Sequence, residues 1–230
     1  PFLIPFLLIM AIGPKLKWIK SNLEDKIYLF TILVISILLS ITIVKNFSSN
    51  FLINTILISS ALYLFFITLR DFFSKGFKNL AQNTAHFGFS LLILSILFNS
   101  LFSSEIITNL KVGQTFENSK AKIVFESLSQ KEGENYKSII GNFVVQDSNG
   151  KMENLSPELR IYNQPNITTS EADIKTTLLS DKFIVINLVQ NQEFFNVRYQ
   201  VKPFMLWIWI SVILISFGGL ISFVKKEYEK

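Results

Sequence analysis

A chain of 230 residues that is 50% hydrophobic and only 17% charged, with mean hydropathy +0.40, has the composition of an integral membrane protein. It has no cysteine and one histidine, His86, which excludes a disulfide framework, a thiolate metal centre, a cysteine nucleophile and a multi-histidine metal site built from this chain alone. The net charge of +5 does not mark a nucleic-acid binder: residues 103–202 hold 11 basic and 12 acidic side chains, so the excess sits in short loops beside apolar runs, where it reports topology.

In chain order, residues 1–13 are apolar and stop at Pro14, which suits an interfacial segment or the remaining part of a span. Residues 27–44, 51–69, 81–102 and 203–224 are uncharged runs of 18 to 22 residues, each long enough at about 1.5 Å per residue to cross about 30 Å of hydrocarbon. Lys15, Lys17, Lys20, Lys26, Arg70, Lys75, Lys78, Lys225, Lys226 and Lys230 all flank one side, whereas the short loop on the other carries only Lys45. Cytoplasmic loops carry the basic excess, so the tail 225–230 is expected in the cytoplasm and residues 103–202 outside it. This topology starts outside, and the expectation is that further membrane helices precede Pro1 in the intact protein.

Residues 103–202 read as strands. Residues 122–126, 183–190 and 194–201 are rich in β-branched and aromatic side chains, and Asn149-Gly150 is a hairpin turn after Phe143–Gln146. Thr168-Thr-Ser-Glu171 matches a helix capping box and predicts a short helix over 172–179. The fold class is therefore mostly α-helical and membrane-integral, with about five spans and a β-rich extracytoplasmic domain of roughly 100 residues, a small barrel or sandwich, inserted before the last span. The Gly218-Gly219 pair lies inside that last span and permits close helix packing.

An ionisable group inside a span is a functional candidate, and neutral imidazole is a good iron ligand. Gln82 and Ser90 stand four residues either side of His86, while Ala81, Ala85 and Gly88 form a small-residue ridge beside it. Such a ridge admits a flat macrocycle or another helix. A packing histidine and a proton relay are the other readings of His86. Trp207 and Trp209 suit an aromatic belt at the membrane interface, and Arg160 with Glu158 suits a loop-stabilising ion pair, or a contact of the guanidinium to a bound carboxylate or a partner protein.

Asn79-Leu-Ala-Gln-Asn-Thr-Ala-His-Phe-Gly-Phe89 resembles the stretch around the second transmembrane histidine of the CcmF family, the haem lyases of cytochrome c maturation. The likeness continues in order through Val112-Gly-Gln114, Asn135-Tyr136, Leu155-Ser-Pro-Glu-Leu-Arg-Ile-Tyr162, Thr168-Thr-Ser-Glu-Ala172, Lys202-Pro203, Trp207-Ile-Trp209 and Gly218-Gly219. What this resemblance implies is a haem b held in the membrane bundle by two histidines, with His86 matching the one nearer the C-terminus and serving as axial ligand to the iron. The other ligand, the tryptophan-rich motif and the periplasmic histidines of the family have no counterpart here. The resemblance therefore implies a C-terminal portion or split subunit of the lyase. Its partners would be the upstream part of the lyase, the haem chaperone and other maturation proteins, and apocytochrome c, whose CxxCH thiols receive the haem. It implies the bacterial inner membrane, or the mitochondrial inner membrane, as location. No residue of this chain combines with others into a nucleophile, base and oxyanion donor, so no catalytic residue is assigned.

The alternative is a non-enzymatic membrane subunit, either a transporter half or an assembly scaffold that docks a partner on its outer domain. A transporter is expected to show polar groups on several spans or a helix broken at the midplane. The topology itself is testable in this cysteine-free chain. A single cysteine placed at Ser148 is expected to react with a membrane-impermeant thiol reagent in intact cells and one at Ser74 to be protected; the reverse pattern overturns the orientation.

Overall fold

The computed structural model describes residues 2–15, 23–45, 50–74, 79–148, 150–189 and 193–228. They divide into two compact units, Pro1–Phe102 with Phe204–Lys230, and Ser103–Pro203.

The first unit is helical: α1 (Leu3–Ile12), α2 (Leu23–Val44), α3 (Phe51–Ser74), α4 (Leu80–Phe102) and α5 (Met205–Tyr228). The last four are long and apolar enough to cross a membrane. α1 is ten residues, about 15 Å or half the hydrocarbon thickness, and buries Leu7 and Ala11 in the cluster that α3 supplies with Ile58, Ala61, Leu64 and Ile67. Several serine and threonine hydroxyls inside the spans bond back to their own helices: Ser36 Oγ donates to the Ile32 carbonyl at 2.8 Å and Ser60 Oγ to that of Leu57 at 2.8 Å. A polar group left unpaired in hydrocarbon is costly, and this pairing lets such residues sit in a lipid-facing bundle without forming a pathway. The four long helices run without the midplane break expected of the transporter alternative.

Helices α2, α3 and α5 extend past the uncharged runs, because a helix does not stop where hydrocarbon does. At the end of α3 the Arg70 guanidinium lies 3.8 Å from the Tyr28 ring centroid, and Asp71 pairs with Lys15. These contacts give the charged turn a reason to stay helical beyond residue 69.

The second unit is a β-sandwich of ten strands: β1 (Ser104–Leu110), β2 (Thr115–Glu117), β3 (Ala121–Glu132), β4 (Tyr136–Asp147), β5 (Met152–Leu155), β6 (Glu158–Tyr162), β7 (Ile167–Glu171), β8 (Asp173–Thr176), β9 (Ser180–Leu188) and β10 (Phe195–Pro203). One sheet has the order β1-β10-β9-β8 and the other β2-β3-β4-β6-β7, with β5 also paired to β4; these pairings are antiparallel. Alternate residues turn inward, so Ile123, Phe125, Phe143 and Val145 meet Ile184, Ile186, Val197 and Tyr199 in one core. The Phe125 and Phe143 rings stack at 4.3 Å, and Phe195 of the other sheet meets Phe125 edge-on at 5.5 Å.

One sequence expectation is corrected here. Residues 172–179 are not helical; Ile167–Glu171 is strand β7, paired to β6, and Asp173–Thr176 is β8. The run of Ile167, Thr168 and Thr169 is β-branched, and pairing to a neighbouring strand outweighs a local capping pattern. Instead of capping a helix, Thr169 Oγ1 donates to Glu171 Oε1 at 3.0 Å across one strand face. The hairpin after β4 is present, with Gly150 at φ +82° and its N–H bonded to the Asp147 carbonyl at 2.9 Å; Asn149 lies outside the described residues.

The two sheets are also tied by charge. Lys182 of β9, nearly buried, reaches Asp147 at 3.0 Å and Glu153 at 3.3 Å, and Lys151 reaches Glu153 at 2.7 Å. Burial pushes the Glu153 carboxyl up, but the hydrogen bonds from Lys151 and Lys182 outweigh it and hold the group below the usual carboxylate range. Burial, with Glu153 and Asp147 nearby, pushes the Tyr199 phenol up to about 12.

Candidate functional site

His86 stands six residues into α4, about 9 Å along the axis from Leu80. The polar first turns of this helix divide between two faces. Asn83 donates from Nδ2 to the Asp71 carbonyl of α3 at 3.2 Å, and Ser90, fully buried, sits with its hydroxyl 2.8 Å from that of Thr68. Phe87 belongs to the same side, stacked on Phe72 at 5.2 Å between centroids. Asn83, Phe87 and Ser90 thus form the seam to α3, following the helical i, i+4, i+7 spacing. Ser90, which the sequence offered as a neighbour of His86, is engaged by α3.

The other face meets α5. A Cβ added at Gly218 would lie 2.7 Å from the Ala85 amide nitrogen, 2.8 Å from its Cβ and 2.9 Å from the Ala81 carbonyl oxygen. One added at Gly88 would stand 3.0 Å from Ile215 and from the Leu214 Cβ. The ridge Ala81, Ala85 and Gly88 therefore packs on a helix, α5, while Ala81 and Ala85 also line open space beside that contact. The contact with α5 means this ridge is not the docking surface for an additional subunit. Small residues are what allow two backbones in lipid to approach this closely.

Beside that contact the helices part and leave a cleft of about 880 Å³, lined by Gln82, Ala85 and His86 of α4 and by Phe217, Gly219 and Ser222 of α5, among others. Gly219 faces open space where Gly218 faces α4: a Cβ there meets nothing within 4 Å. The adjacent glycines therefore divide the work, one closing the helix pair and the other leaving room in the cleft. The volume is in the range of small-molecule and cofactor sites, and the walls follow their pattern, mostly apolar with a few polar groups. His86 and, one turn before it, Gln82 are polar residues that line this cleft. The contributions of Phe217, Gly219 and Ser222 were not identified from the sequence; the adjacent glycines signalled close packing but not on which side space would remain.

The other residues singled out from the sequence do not join this cleft. Trp207 and Trp209 are in the first turns of α5, at its opposite end, with Trp209 63% exposed as an aromatic belt residue would be. Arg160 belongs to the β-sandwich, where Nε donates to Glu158 Oε2 at 3.1 Å, the Ser138 hydroxyl donates to the same oxygen at 3.0 Å, and the guanidinium lies 5.1 Å from the Tyr136 ring. The hydrogen bond to Glu158 raises the guanidinium pKa above its ordinary value. The ion pair thus joins two residues of strand β6 and does not stabilise a loop.

Comparison with known proteins agrees with both units. Residues 101–203 match the family model described as the CcmF C-terminal beta-sandwich. The cytochrome c-type biogenesis protein CcmF of Escherichia coli is 25% identical over 238 residues, 99% of this chain and 37% of the relative, and that of Haemophilus influenzae is 23% identical over 241 residues, 98% and 37%. A solved structure of the cytochrome c haem lyase CcmF matches 96% of this chain and 38% of its own, with a TM-score of 0.70 at 17% identity. The chain thus spans little more than a third of the length of these relatives, and the likeness covers their C-terminal region.

The glycine pair gives a direct test of the helix contact. Gly218→Ala is expected to lower the thermal stability of the helical unit by about 1–3 kcal/mol, since atoms of the α4 backbone must move. Gly219→Ala is expected to leave it unchanged or to raise it by up to about 1 kcal/mol, because the added methyl group meets nothing and glycine is a poor helix former. Melting in detergent micelles measures both, and equal losses for the two variants contradict the packing described.

Proposed function

Because this chain resembles the C-terminal region of CcmF in sequence over nearly all its length and in fold, we propose that it is the C-terminal component of a cytochrome c haem lyase. In this reading His86 is an axial ligand to a haem b in the membrane, and the chain assists covalent attachment of haem to the CxxCH thiols of apocytochrome c together with the upstream part of the lyase. The observation that carries it is the cleft, in which the chain's one histidine shares walls with Gly219, Ala85 and Gln82.

The residues fit the group. Apolar and small side chains surround most of the cleft, which suits a flat apolar macrocycle, and Gly219 leaves its backbone open to close approach. Neutral imidazole suits iron, and Gln82, one turn before His86 on α4, lines the same cleft as a polar group beside it. A bound haem supplies one-electron redox chemistry at this position. The protein's own part is to present the imidazole, exclude water with Phe217 and the aliphatic wall of α5, and hold the two helices apart at the cleft while clamping them at Gly218.

The cleft is formed by the first turns of α4 and the last turns of α5, the ends flanked by Lys75 and Lys78 and by Lys225 and Lys226. By the distribution of basic residues this is the cytoplasmic side of the bacterial inner membrane, which puts the haem in the inner leaflet and the β-sandwich in the periplasm. There the sandwich is available to the haem chaperone and the apocytochrome.

The test is the reduced-state absorption spectrum of membranes in which this chain is produced with its upstream partner. Replacing His86 with Ala is expected to remove the six-coordinate b-type signal, while a histidine used only for packing would lose about 1–2 kcal/mol of helix association and leave the spectrum intact. An unchanged signal in His86→Ala overturns the assignment.

A further inference from the structure

The turn between β8 and β9 carries two exposed leucines. Thr176 pairs with Asp181, and Leu178 and Leu179 project from the loop between them, 71% and 66% exposed. A pair of leucines at a hairpin tip has no role in the core of this domain, which the inward residues of the two sheets complete. Ile174, on β8 four residues earlier, is also 55% exposed.

Register in the sheet places this tip. Ser180 is the Cα partner of Pro203, the last residue of β10, and α5 begins two residues later at Met205. On the other side of β10, Ser104 is the partner of Val201, and α4 ends at Phe102, two residues before it. The Leu178–Leu179 turn is therefore at the end of the sheet where the chain leaves one membrane-spanning helix and runs into the next. The opposite end carries Leu188, eight residues along β9 and about 26 Å away.

Thr177 and Ser180 bond to each other within the turn. The Thr177 N–H donates to the Ser180 carbonyl at 3.0 Å, Thr177 Oγ1 donates to the same oxygen at 2.8 Å, and the Ser180 N–H donates to Thr177 Oγ1 at 3.1 Å. Leaving water is costly for unpaired backbone groups and favourable for leucine, so these bonds lower the cost for Thr177 and Ser180 while the two leucines supply the gain of entering an apolar phase. Lys175, exposed on β8, and Lys202 on β10 stand within a few residues of the tip and suit the phosphate layer beside it.

We propose that the Leu178–Leu179 turn is a membrane anchor of the β-sandwich: its two leucines insert at the boundary between headgroups and acyl chains of the leaflet on the sandwich side. The partner is the lipid surface. This anchor is independent of any haem bound in the helical unit.

The experiment uses the whole chain reconstituted in lipid nanodiscs, with single cysteines at Leu178, Leu179 or Leu188 carrying an environment-sensitive fluorophore. Emission at 178 and 179 is expected to be blue-shifted and to be lost when the nanodisc lipid is brominated phosphatidylcholine. Emission at 188 should stay unaffected, because about 26 Å exceeds the headgroup layer of roughly 5–8 Å. No more quenching by brominated lipid at 178 and 179 than at 188 overturns the proposal. In that event sensitivity to aqueous iodide shows a solvent-exposed tip, and protection from both quenchers shows one covered by protein.

Discussion

The absence of a side chain at Gly218 is the constraint on which the helical unit depends. With hydrogen in place of a methyl group, α5 can bring its backbone against Ala81 and Ala85 of α4, an approach that a Cβ would block at 2.7 Å. Lipid offers no hydrophobic reward for bringing helices together, so the attraction has to come from close van der Waals contact, and small residues are its condition. Once α4 and α5 are clamped at that point, a cleft remains beside it, lined by His86 and Gln82 from α4 and by Phe217, Gly219 and Ser222 from α5.

The same two helices determine how the soluble unit is built. The chain leaves α4 into β1 and returns through β10 to α5, and these strands are antiparallel neighbours with Ser104 opposite Val201. A domain inserted between two adjacent spans must begin and end close together, and pairing the first strand to the last meets that requirement with a ladder of hydrogen bonds. At the junction Phe204 takes a left-handed φ of +61°, uncommon for a bulky residue, and its ring packs on Phe98 at 5.5 Å. The strained residue lets strand turn into helix within one peptide.

Much of this was legible in the sequence because hydrocarbon and β-sheet impose simple patterns. Uncharged runs marked the long helices, and alternation marked β3, β9 and β10, since the period of inward residues is a property of the strand itself. What was not legible depended on neighbours. The capping pattern at Thr168–Glu171 is local information that a pairing with β6 overrides. The ends of α3 extend because Tyr28 and Lys15, distant in sequence, receive Arg70 and Asp71. For the site, the sequence singled out His86 and the small ridge. It did not distinguish Gly218 from Gly219, whose surroundings differ only once the two helices are in place. Nor could it show Leu178 and Leu179 as a tip, having assigned them to a helix.

The central claim is that the space beside His86 is where a macrocycle is held, and Gly219 gives the most direct access to it. Gly219→Phe would place a ring in the cleft while leaving the Gly218 contact in place. The measurement is haem per protein, from the absorption spectrum, alongside the melting temperature of the same sample produced with its upstream partner. The account predicts that haem content collapses while the melting temperature of the haem-free protein is unchanged. Full haem occupancy in Gly219→Phe would contradict it.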